Sequence, residues 1–83
     1  MKTNFDFIAG LFNNADQTVE QTENLQVNAY KVRVDGNVAY IEAICMNEYG
    51  AIYGTGDVRT VYPSKKQLNR LQKLGDSFFV YED

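Results

Sequence analysis

The chain has 83 residues, 45% of them hydrophobic, and a formal charge of −3 from 8 basic and 11 acidic side chains. That length fits one domain with a small core and modest stability. With no histidine and one cysteine, triad chemistry, histidine–metal chemistry, an internal disulfide and a CxxC zinc site are excluded within the chain.

The N-terminus reads as a helix, because Phe5, Ile8, Leu11, Phe12 and Ala15 recur at three- and four-residue steps and so share one face. Thr3 followed by Asp6 is a capping pair. Gly10 costs this helix up to about 1 kcal/mol. Val19 lies on the same stripe, so the helix has a route past Asn13 and Asn14 into the Asn-, Gln- and Thr-rich stretch to Asn24.

Residues 25–34 read as a strand. Leu25, Val27 and Ala29 alternate, and the apolar set then shifts to Tyr30, Val32 and Val34, as a β-bulge near Ala29 would produce. Asp35-Gly36-Asn37 is a turn, and Val38 to Met46 a central strand with two apolar faces. Its small face (Ala39, Ile41, Ala43, Cys45) is expected beneath the helices. Asn47 to Gly50 is the next turn, and Ala51 to Tyr62 a third strand bulged at Gly54 and Gly56. After Pro63, Ser64 and Gln67 form a capping box for a helix carrying Leu68, Leu71 and Leu74 and ending at Gly75. Ser77 to Tyr81 is β-prone and reads as a closing fourth strand. The expected fold is α+β: one small domain, a three-stranded antiparallel meander with or without that fourth strand, and two helices on one face, in the order α-β-β-β-α with room for a closing β.

Charge is unevenly placed. Seven of the 8 basic residues lie between Lys31 and Lys73, flanked by acidic ends. Lys65, Lys66, Arg70 and Lys73 sit on the second helix without an acid among them, a ridge suited to phosphates or carboxylates or simply a solvated face. The α-β-β-β-α order with Ser64-Lys65-Lys66 opening the last helix is similar in outline to double-stranded-RNA-binding domains. The resemblance implies phosphate contacts from those lysines. The acidic total and Asp6 and Asp16 on the first helix depart from it.

A second candidate surface is an open sheet face that Lys31, Arg33, Tyr40, Glu42, Tyr53 and Arg59 share in some pairing registers and not in others, a composition that suits protein contacts or base stacking and also occurs on ordinary sheets. Asp16, Glu20, Glu23, Glu82 and Asp83 form acidic flanks that would engage a basic partner or merely aid solubility. Gly54-Thr55-Gly56-Asp57 lacks the third glycine and lysine of a phosphate loop and fits a bulge. A carboxylate pair, for example Glu42 with Asp57, is a generic hydrolytic option, and Cys45 has no histidine to activate it.

These features exclude mechanisms more than they name one. The leading expectation is a non-enzymatic protein-binding module, an inhibitor, adaptor or regulator, without cofactor or metal. Its contact residues are expected among Lys65, Lys66, Arg70, Lys73, Lys31, Arg33, Tyr40, Tyr53 and Arg59. The alternatives are a nucleic-acid binder using the 64–74 helix, and a homo-oligomer joined through Val38, Tyr40, Ile44 and Met46. No secretory or membrane-spanning stretch is evident, and the lone cysteine suits the cytoplasm. The chain reads as a stand-alone product of the kind phages and mobile elements often encode.

Overall fold

A computed structural model describes residues 3–15 and 27–82. The element order is α1 (Asn4–Asn14), β1 (Ala29–Asp35), β2 (Val38–Met46), β3 (Ile52–Val61), α2 (Lys65–Leu74) and β4 (Ser77–Tyr81). The strands form one antiparallel sheet in the order β3-β2-β1-β4. The expected α+β architecture is therefore what the chain adopts, with β4 closing the sheet beside β1.

Local chemistry sets the helix ends. The Thr3 hydroxyl accepts from the Asp6 N–H at 3.1 Å, opening α1. Ala15, with ψ 147, is extended and ends it. Residues 16–26, which hold the expected extension through Val19 and the start of the expected first strand, lie outside the described residues. The capping box of α2 is complete, with the Ser64 and Gln67 side chains each accepting from the other's backbone N–H. Gly75 leaves the helix at φ +130, open to glycine but strained for other residues.

Pairing registers assign the two faces. Tyr30 lies opposite Ala43 and Val80, and Val32 opposite Ile41 and Phe78. With Ile8, Leu11, Phe12, Ala39, Val61 and Leu71 they form the core beneath α1 and α2. Small residues on β2 let the helices approach, as the sequence suggests. The Tyr30 ring meets both Phe5 and Phe12, each with centroids 5.2 Å away.

One detail corrects the expected strands. β1 pairs without a register shift from Ala29 onward, so it carries no bulge near Ala29 and Tyr30. The apolar phase changes instead at the strand's entry. There the Asn28 side chain replaces a peptide: its amide donates to the Met46 carbonyl at 2.7 Å and its oxygen accepts the Met46 N–H at 2.7 Å. The bulge lies in β3, where Val58 pairs with Glu42 and Gly54 with Ile44. Gly56 sits there at φ +80, and the Thr55 hydroxyl donates to the Ala43 carbonyl at 2.9 Å.

Candidate functional site

The sheet face away from the helices is the candidate site. Lys31, Arg33, Tyr40, Glu42 and Val58 line a shallow hollow of about 250 Å3 at its centre. β1 and β2 place four of them, since Lys31 pairs with Glu42 and Arg33 with Tyr40. The Arg33 guanidinium lies over the Tyr40 ring at 4.7 Å, a contact worth about 0.5–1 kcal/mol where exposed. Among the described residues, Glu42 has no ion-pair partner, although Lys31 is its cross-strand neighbour. Its carboxylate lies over Gly54 instead, where an added Cβ would come within 2.6 Å of Oε2.

Apolar side chains from both edges flank this polar centre on the Lys31–Glu42 side, while Ser77 and Thr60 end the Arg33–Tyr40 row. On β3, Ile52 is 45% and Val58 51% exposed; on β4, Phe79 is 42% and Tyr81 44% exposed. Phe79 and Tyr81 stack at 6.3 Å. Exposed aromatic and aliphatic groups around Arg and Lys have the composition of a protein-contact surface.

Other expected site residues lie elsewhere. Arg59 faces the helices, across from Ile41. Its guanidinium sits 3.9 Å over the Phe12 ring, donates to the Phe12 carbonyl at 2.9 Å and pairs with Asp57 at 3.2 Å. The last turn of α1 has no basic residue of its own, and Arg59 supplies the cation that such a carbonyl end favours. Asp57 is thus engaged on the helix side, whereas Glu42 lies on the other face, and the two do not form a carboxylate pair. Tyr53 pairs opposite Cys45, on the parity of the helix side, with its hydroxyl accepting from Asn47 at 3.3 Å.

On α2, Lys65, Lys66 and Lys73 are exposed. Arg70 is half-buried: it lies over the Phe7 ring at 4.2 Å and donates to Asn4 at 3.2 Å, fastening α2 to α1. The ridge therefore loses one of its four cations to an internal contact. Of the apolar residues expected to join copies, Ile44 is buried opposite Ala29, leaving Val38, Tyr40 and Met46 partly open. Asp16, Glu20, Glu23 and Asp83 lie outside the described residues.

Sequence reasoning missed Phe79, Tyr81, Val58 and Ile52 as site residues. Strand order carries the signal: β4 at the edge beside β1 puts Phe79 in the same cross-strand row as Lys31 and Glu42, which no local pattern shows. Burial raises the Tyr30 phenol above its usual range, and the nearby Arg59 cation opposes that shift. Among the described residues, no helix is long and apolar enough to cross a membrane, and no group of His, Cys, Asp and Glu gathers as a metal site.

No family model, curated protein or solved structure matches this chain.

Proposed function

We propose that this chain is a small protein-binding module without catalytic activity of its own, an inhibitor, adaptor or regulator, and that the open sheet face is its docking surface. One observation carries the reading: half-exposed Ile52, Val58, Phe79 and Tyr81 share one face with Lys31, Arg33, Tyr40 and Glu42. A backbone already held by sheet pairing needs no further ordering when its apolar side chains are covered, and the central charges give orientation. The non-enzymatic part rests on the lack of histidine in the chain.

Site-specific photo-crosslinking tests it. A photoreactive residue at Val58 or Tyr40 should give a discrete covalent protein adduct in extracts of the source cell. The adduct should vanish when Lys31→Glu and Arg33→Glu are added, and a probe at Gln72 on α2 should give none. An adduct at Gln72 alone would move the docking surface to the helix. Salt-sensitive binding to DNA or RNA, lost in Lys66→Glu, would replace the proposal with a nucleic-acid reading.

A further inference from the structure

The two edges of the sheet are built differently. The β3 edge is interrupted by the register shift between Glu42 and Ile44 and by Gly56 at φ +80. Such irregularity breaks the row of outward peptide groups and discourages strand addition. β4 has none of these protections: Ser-Phe-Phe-Val-Tyr carries no charge, no proline and no bulge.

Hydrogen bonds at its two ends fix which peptides face outward. The Val34 N–H donates to the Asp76 carbonyl at 2.8 Å, and the Glu82 N–H donates to the Asn28 carbonyl at 2.8 Å. Peptide direction alternates along an antiparallel ladder. Asp76, Phe78, Val80 and Glu82 thus turn their backbone groups toward β1, while Ser77, Phe79 and Tyr81 turn theirs away. Beside this outward row lies a hollow of about 310 Å3 lined by Thr3, Asn4, Phe5, Phe79, Val80 and Tyr81.

We propose that the β4 edge accepts an extended segment of another protein as a fifth strand, and that the segment carries basic residues at both ends. Backbone pairing with Phe79 and Tyr81 supplies the attachment. Alternate side chains of the segment fall toward the hollow beside Phe5 and toward the stacked rings of Phe79 and Tyr81. Charge selects the occupant. Asp76 and Glu82 bracket the uncharged strand. A second copy paired antiparallel about Phe79 would set Asp76 opposite Glu82 at both ends, placing like charges face to face. A segment with basic ends converts both repulsions into attractions. This goes beyond the face-docking reading, because it uses the edge of the sheet.

The test uses the full chain and a labelled peptide, KKTVTVTVKK, with EETVTVTVEE as control. Binding is followed by anisotropy and by amide exchange. The basic peptide should slow exchange of the Phe79 and Tyr81 amides by at least about tenfold, leaving Val80, already bonded to β1, nearly unchanged. Asp76→Asn with Glu82→Gln should weaken binding several-fold. Phe79→Pro removes an outward N–H without costing a ladder bond and should abolish it. Should that variant misfold, N-methylation of alternate peptide residues should abolish binding to the unaltered protein. Val58→Glu, on the open face, should leave binding intact. The proposal fails if Phe79 and Tyr81 exchange is unchanged at millimolar peptide, if the acidic peptide binds equally well, or if Val58→Glu abolishes binding. It fails too if the protein alone dimerises with Phe79 protected.

Discussion

Each face of the sheet sets an arginine against an aromatic ring, to different ends. On the helix side, Arg59 lies over Phe12 at 3.9 Å and is also bound to the Phe12 carbonyl and to Asp57. On the open side, Arg33 lies over Tyr40 at 4.7 Å and remains exposed. The ring contact is common to both, so it marks neither a site nor a scaffold. What separates them is whether the remaining N–H groups are already used: Arg59 is committed to holding α1, and Arg33 has no hydrogen-bond partner among the described residues.

Substitutions should separate the faces, most clearly in the strand they share. Ile41 is fully buried under the helices, and Tyr40 next to it points the other way. Ile41→Ala should cost about 2–5 kcal/mol in urea unfolding, whereas Tyr40→Ala should cost less than about 1 kcal/mol. Equal losses would mean that the open face is covered within the protomer. The arginine pair gives the next contrast. Arg59→Met should lose about 2 kcal/mol by breaking charged hydrogen bonds, and Arg33→Met no more than about 0.5 kcal/mol by the same assay.

Asn28 frames both faces, because its side chain ties the start of β1 to the end of β2. Asn28→Ala should cost about 1.5 kcal/mol, with faster exchange at the Met46 amide. Tyr30→Phe should give the smallest effect, seen only in alkali. Burial raises the Tyr30 pKa above its ordinary 10.0, so the folded state keeps a proton that the unfolded state releases. Stability in the parent protein should therefore fall as pH rises past about 10, and Tyr30→Phe should be spared that part of the fall. Urea midpoints of the two proteins at about pH 8 and pH 10.8 check the sign.

What could be read from the sequence was what local chemistry decides. Thr3 with Asp6, Ser64 with Gln67, Asp35-Gly36-Asn37 and the glycines of β3 each carry their own instruction, and each was honoured. Pairing register between strands was less legible than parity along one. Arg59 and Tyr53 were expected on the open face, yet both take the helix-side parity. Four residues of β3 span the step from Gly54 to Val58 while β2 advances only from Ile44 to Glu42. The bulge thus adds residues without flipping the faces. Arg59 is turned inward by the register that sets it across from Ile41, and its partner there, the Phe12 carbonyl, lies 47 positions away, so no short-range pattern reports it. The apolar rim was hidden for a similar reason: Phe79 joins Lys31 only once β4 finds its place beside β1.

The Arg59–Phe12 bond also constrains the order of assembly. It joins groups 47 positions apart, and β1 pairs on its far side with residues 77–81. The hairpin of β1 and β2 can close early through its short turn, but the end of α1 lacks its cation until β3 is in place. The second side of β1 remains unpaired until β4 arrives. A nascent chain halted before residue 76 would thus expose a second raw strand edge, along β1 itself, and the passage through that state is when this small protein is most open to wrong partners.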